Sequence, residues 1–201
     1  MKRFAVLASG TGTNFEALLR ASKEGFIPAE LCVLVTDREG AGAIRIAQQA
    51  GVPVKVVQYA DYPTRDDFSE AVARACLEYG AEFVCMAGFM RILSKPMLEA
   101  FPNLVLNTHP SLLPAFPGVD AVRQALEYGV KVTGCTVHII DEEVDHGPII
   151  AQEAVPVLEG DTEEVLHARI KSVEHRLYPE VARSVALGKI EVVGRKVIVR
   201  E

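Results

Sequence analysis

Three short stretches of the sequence carry residue types that can do chemistry at a spacing that would let them act. The first is Ser9-Gly10-Thr11-Gly12-Thr13-Asn14, directly after an apolar run and before a helical one. A glycine-rich turn that opens a helix presents free backbone N–H groups and the positive end of the helix dipole, which favours an anion such as a phosphate. The dinucleotide-binding turn carries a third glycine where this chain has Phe15, so a pyrophosphate is disfavoured. Asp37, after the second apolar run, could still imitate a ribose-binding acid. The plain alternative is a tight strand-to-helix turn with no ligand.

The second stretch is Asn107-Thr108-His109-Pro110-Ser111, where another apolar run ends. Open α/β sheets place their ligands at such strand ends. A carboxamide and an imidazole two positions apart on extended backbone point to the same side. Pro110, Pro114 and Pro117 then stiffen the loop as far as Gly118. Read alone, Asn107 could be a cap and His109 a packed histidine with its hydrogen bonds satisfied.

The third is Asp141-Glu142-Glu143-Val144-Asp145-His146-Gly147-Pro148. A run of acids ordinarily makes a solvated turn, but Gly147-Pro148 restarts a strand and forces a definite turn, so Asp145 can be held inward. His138, His146 and these acids invite a metal reading, yet no H-x-H or H-x-x-x-H spacing supports it, and no metal is expected.

The elements that must position these stretches follow from hydrophobic period. Residues 4–8, 31–35, 54–57, 83–87 and 104–107 are β-rich runs of strand length. Residues 14–23, 43–50 and 66–79 have helical spacing and end near Gly25, Gly51 and Gly80. This alternation predicts an α/β, doubly wound, mostly parallel Rossmann-like sheet. Residues 133–140 and 148–155 lie too close for a crossover helix and predict an antiparallel hairpin; 190–193 and 196–199 predict a terminal one about Gly194. Asp161 with Glu164 reads as a capping-box start for a long helix carrying Leu166, Ile170, Val173, Leu177 and Val181, which Pro179 should kink or open.

The composition bounds the partners. The chain has 201 residues, 49% hydrophobic and 24% charged, with a net charge of -6, values that suit one soluble domain with a sizeable core. No basic cluster supports nucleic-acid binding, and no apolar run nears the roughly 20 residues that span a bilayer. With no signal-peptide pattern, a cytoplasmic protein is expected. Cysteines 32, 76, 85 and 135 are dispersed and suggest buried thiols, not disulfides.

Taken together, SGTGTN (9–14), AGFMRIL (87–93), NTHPSLLPAFPG (107–118), GCTVHII (134–140), VDHGPII (144–150) and SVEHRLYP (172–179) closely resemble the phosphoribosylglycinamide formyltransferase family. The likeness runs from the first strand through the long helix. NxHPSLLP with DxGP alone would mark only the wider formyltransferase superfamily. The resemblance implies formyl transfer from 10-formyltetrahydrofolate, as cosubstrate, to the amine of phosphoribosylglycinamide in purine synthesis. It implies one formyltransferase domain over 1–201, with a nucleotide-binding half (1–103) and a catalytic, folate-binding half (104–201).

By the same resemblance Asn107, His109 and Asp145 are the catalytic trio. Gly12, Thr13 and Asn14 take the nucleotide phosphate, and Glu174 lies near its amine. Arg65, Met90, Arg91, Ile92 and Leu93, with Asn107 and the backbone of Asp141, Glu142, Glu143, Val144 and Asp145, surround the folate. Met90, Ile92 and Leu93 could equally be core, and Glu174 a surface acid paired with Lys171 or Arg176. Glu174 follows Val173 on the apolar stripe, which predicts a place at the border between buried and exposed faces. The chemistry suits the trio, because an amine attacking a formyl carbon creates an oxyanion that a carboxamide and an imidazolium can hold.

Two positions depart from the family pattern: His146, where small residues are common, and Asp37, in place of a more usual neutral residue. A formyltetrahydrofolate hydrolase shares the trio but adds an N-terminal domain for which no space is expected here. A methionyl-tRNA formyltransferase needs a more basic surface and a C-terminal tRNA domain. A nucleotide-binding regulatory module would have no use for the trio. The expected partners are small molecules alone, with monomer and homodimer both open.

Overall fold

In the computed structural model, which describes residues 1–200, the first five apolar runs form parallel strands. They are β1 (Lys2–Leu7), β2 (Ala29–Thr36), β3 (Val54–Val56), β4 (Phe83–Met86) and β5 (Val105–His109), in the spatial order β3-β2-β1-β4-β5. The crossovers between them carry α1 (Thr13–Lys23), α2 (Gly42–Ala50), α3 (Arg65–Glu78) and α4 (Lys95–Ala100). Strand alternation divides the core: Phe4 and Val6 enter one cluster with Leu18 and Ala47, while Ala5 and Leu7 enter another with Phe68 and Met97. The order in which strands are added reverses between β1 and β4, and the crevice beyond the carboxyl ends of those two parallel strands is where sheets of this kind bind ligands.

The sheet continues through β6 (Val132–Ile139), antiparallel to β5, and β7 (Ile149–Pro156), antiparallel to β6. The terminal hairpin, β8 (Ile190–Val193) and β9 (Lys196–Val199), joins at Ile149↔Lys196 to complete nine strands. The result is a mostly parallel α/β sheet with an antiparallel C-terminal extension. Two helices escape the periodicity: α4, six residues with a proline in its first turn, and α5 (Ala121–Tyr128), eight residues beyond the proline-rich loop. Helices this short expose too few turns for a period to register.

The long helix α6 (Glu163–Ala186) starts one residue later than Asp161 suggests. Thr162 is its cap, accepting the Val165 N–H at 3.2 Å, while Asp161 accepts the Leu158 N–H and a two-pronged ion pair from Arg169. That pairing holds the Asp161 carboxyl well down, at about 2. Pro179 does not break the helix, which runs through it. The buried stripe is also re-centred: Leu166, Ile170, Glu174, Leu177, Tyr178 and Val181 are buried, and Val173 only partly. Tyr178, fully buried, directs its hydroxyl at the Met86 and Leu106 carbonyls at 2.8 and 3.1 Å, tying α6 to the ends of β4 and β5.

All four cysteines are buried and free. No helix among the described residues is long and apolar enough to cross a membrane.

Candidate active site

The glycine turn folds as it does because two helix N-termini meet there. Gly12 caps α1 with φ 87°, and an added Cβ would stand 2.7 Å from Ala43 Cα at the start of α2. Only glycine fits that conformation and that approach. The Glu16 N–H closes the first α1 turn on Gly12 O at 2.8 Å, so the N–H groups of Thr13, Asn14 and Phe15 are the donors that a helix start leaves without an intrahelical partner. Phe15, where a dinucleotide site has glycine, is fully buried in the core.

At the end of β5, pleating sends Asn107 and His109 to one face and Thr108 to the other. The antiparallel register places His138 opposite Asn107, with Asn107 Nδ2 3.4 Å from His138 Nε2. His138 Nδ1 lies 3.0 Å from Ile139 O, so that nitrogen carries the proton and Nε2 is the acceptor for Asn107. Burial holds the His138 pKa below the usual histidine value. This histidine, considered in the sequence only as a metal ligand, is therefore what orients the Asn107 carboxamide. Its signal lay in strand register, which period cannot supply.

Asp145 arrives from the β6–β7 loop. Its backbone adopts φ 52°, a left-handed conformation that aspartate tolerates at some cost, and its side chain is only 9% exposed against 36% for Asp141. Gly147 makes the turn possible, because a Cβ there would lie 1.8 Å from Ile139 O. Asp145 Oδ2 sits 3.4 Å from His109 Nδ1 and accepts the Gly118 N–H at 2.7 Å; Oδ1 faces His138 Nε2 at 3.8 Å. His109 Nε2 donates to Phe116 O at 2.8 Å, so each nitrogen of this buried ring faces an oxygen. Asn107, His109, His138 and Asp145 thus form one cluster, roofed by the proline-rich loop.

Glu174 is only 4% exposed, not at the border of its helix face. The side of α6 that carries it packs on α1 and the sheet, and its oxygens accept from Asn14 Nδ2 at 3.1 Å and Thr108 Oγ1 at 3.4 Å. Burial raises its pKa, and the Asn14 hydrogen bond partly offsets that. Lys171 and Arg176 are not its partners in hydrogen bonding; Arg176 pairs with Glu153 and Glu180. The carboxylate joins the glycine turn to the back of β5, and the free Asn14 Oδ1 beside it is buried without a partner.

The remaining positions divide. Met90 and Ile92 are 62% and 45% exposed beside the crevice, whereas Leu93 is core. Arg65 is exposed in the first turn of α3, and Glu142, Glu143 and Val144 are exposed in their loop. His146 turns outward, its Nδ1 2.7 Å from Asp141 Oδ2 and its carbonyl held by Arg195 of the terminal hairpin. Asp37 cannot serve a ribose: its side chain is fully buried, with both oxygens engaged by Ser9 and Arg91. Among the described residues no group of three or more His, Cys, Asp or Glu is placed to hold a metal ion.

Comparison with known proteins places relatives around this geometry. The formyl transferase family model matches residues 2–182. The phosphoribosylglycinamide formyltransferase of Mycobacterium tuberculosis is 49% identical over 193 residues, 96% of this chain and 89% of that protein. The trifunctional purine biosynthetic protein adenosine-3 of Gallus gallus is 48% identical over 94% of this chain, which spans only 19% of that longer protein. The crystal structure of glycinamide ribonucleotide transformylase 1 from Symbiobacterium toebii superposes with a TM-score of 0.98 at 52% identity, covering 100% of this chain and 95% of that one.

Proposed function

The chain belongs to the formyl transferase family, within it to the phosphoribosylglycinamide formyltransferases, and on that premise we propose that it moves a formyl group from 10-formyltetrahydrofolate to the amine of phosphoribosylglycinamide. The observation that carries this reading is the convergence of Asn107, His109 and Asp145, from β5 and the β6–β7 loop, in one cluster. That cluster lies at the same carboxyl end of the parallel strands as a helix N-terminus suited to a phosphate.

In this reading the phosphate rests on Gly12, Thr13 and Asn14, and the buried Glu174 with Asn14 Oδ1 reads donors on the ribonucleotide, its ammonium or a hydroxyl. Met90 and Ile92 form an apolar wall for the folate, Arg65 and Arg91 face its acidic tail, and the backbone of residues 141–145 takes the pteridine. The amine nitrogen attacks the formyl carbon, and the carbonyl electron pair moves onto oxygen. Asn107 Nδ2–H and the His109 N–H, once released by Phe116 O, donate to that oxyanion. The proton lost by the attacking nitrogen passes to Asp145 through a water. As the oxyanion collapses, the bond to the folate nitrogen breaks and that nitrogen takes a proton from His109. Asp145 Oδ2, 3.4 Å from His109 Nδ1, orients the ring for this sequence. His138 holds the carboxamide at the angle needed. The reading carries with it small-molecule partners only, the cytoplasm as the site of action, and a monomer or homodimer.

The test is a formyl-transfer assay with phosphoribosylglycinamide and 10-formyltetrahydrofolate, repeated without the nucleotide. Tetrahydrofolate release that needs the nucleotide and yields the formylated product is expected. Equal release without it would make the chain a hydrolase and overturn the reading.

A further inference from the structure

Asp37 follows β2 at the same carboxyl end of the parallel strands, and its side chain has no exposed surface. Oδ1 accepts from Ser9 Oγ at 2.5 Å, and Oδ2 pairs with Arg91 Nε at 2.8 Å, with Arg38 Nε farther off at 3.8 Å. Ser9 Oγ, its proton given to Asp37, accepts the Met90 N–H at 2.9 Å. One buried carboxylate therefore ties the ends of β1, β2 and β4 together. The Arg91 guanidinium is further fixed over the Tyr59 ring, 4.7 Å from its centroid.

The two sides of this knot differ in what else holds them. The glycine turn is secured by Gly12 against Ala43 and by the Ser9 N–H on Gly88 O at 3.1 Å. Segment 90–92 has core packing only at its flanks, Phe89 and Leu93, while Met90 and Ile92 face outward. The Ser9–Asp37–Arg91 bonds, with the Tyr59 ring beneath the guanidinium, set the orientation of its middle. An ion pair whose carboxylate is buried and whose guanidinium is part exposed contributes little net stability compared with an apolar substitute, so geometry is the better account of this one.

We infer that Asp37 is a positioning residue for formylfolate: it holds Met90 and Arg91 in the orientation that forms the folate wall, and leaves nucleotide binding and the chemical step to others. The inference rests on the folate reading of segment 90–93. It is tested by steady-state kinetics of Asp37→Asn and Ser9→Ala in the full chain, with Phe83→Leu as a control. Phe83 stacks on Phe4, 5.0 Å between centroids, at the opposite ends of their strands from Asp37, and its shortening lowers stability without touching the knot.

Asp37→Asn should raise the KM for 10-formyltetrahydrofolate about tenfold or more, with kcat and the nucleotide KM within about threefold, the pattern of lost binding without lost chemistry. Ser9→Ala, which keeps the ion pair, should show the same split at smaller size and serves if Asp37→Asn does not fold. A formylfolate KM within about twofold of wild type in the folded variants, or an equal rise in Phe83→Leu, would overturn the proposal. Absence of transfer by the wild-type chain would instead remove the functional reading beneath it, and shows before any substitution is made.

Discussion

Asp145 Oδ2 lies 3.4 Å from His109 Nδ1, and the same oxygen holds the Gly118 N–H of the loop that roofs the site. One carboxylate thus faces the imidazole and anchors the strand-to-helix loop above it. Replacing either partner of the pair should strike turnover rather than binding. We expect His109→Ala and Asp145→Asn each to lower kcat at least about a hundredfold, the usual scale of a positioned acid or base. Nucleotide affinity, measured by titration, should stay within a few-fold, and activity within tenfold of wild type for both would refute the roles given to them.

Glu174 links function to stability through its burial. Because its folded pKa is raised, the folded chain holds that proton more tightly than the unfolded chain does. The group therefore costs nothing below the ordinary carboxylate range. Its cost grows as pH rises through the raised value and is fully present above it. Glu174→Gln should raise Tm at neutral pH, by about 2–4 °C per kcal/mol relieved, and change it little near pH 4. The same variant should raise the nucleotide KM roughly tenfold or more, since one charged hydrogen bond is worth about 1.5–3 kcal/mol. A variant that is less stable at neutral pH, or has an unchanged KM, would refute this account.

His138 titrates in the opposite sense. Its folded pKa is depressed by burial, so the unfolded chain binds the proton first and stability falls as pH drops below the ordinary histidine value of about 6.5. His138→Gln, which keeps a polar side chain opposite Asn107, should flatten the acid limb of a Tm–pH curve. A limb of unchanged slope would place the titrating group elsewhere.

The two glycines of the turn should separate folding from ligand approach. Gly12→Ala meets Ala43 at a positive φ and should cost roughly 1–3 kcal/mol, read as a lower Tm. Gly10→Ala has nothing within 4 Å of its new Cβ and should leave Tm within about 1 °C. A nucleotide titration of Gly10→Ala then reports on the anion's approach alone. Equal Tm losses in the two variants would contradict the packing described at Gly12.

Local pattern alone determined the strands, the long helix, the two hairpins and the three stretches whose residue types suit chemistry. Period, turn residues and caps are properties of a few neighbouring residues, so they can be read before folding. The identity of the buried helix face was another matter. From Leu166 and Ile170 the next step of four falls on Glu174 and then Tyr178, but a charged residue reads as an exposed one, and the stripe was assigned to Val173 instead. A carboxylate on a core spacing was the available signal.

Only the tertiary structure decided who meets whom. Asn107 finds His138 because β5 and β6 pair in one register, and a slip of one residue would send a different side chain to that face. Asn14 and Glu174, 160 positions apart, meet because α6 returns over α1. Asp37, which in sequence could imitate a ribose-binding acid, became the buried tie between Ser9 and Arg91 when three strand ends came together. Such contacts depend on crossovers and register, which are set by packing the whole sheet at once, and no local stretch of residues encodes them by itself.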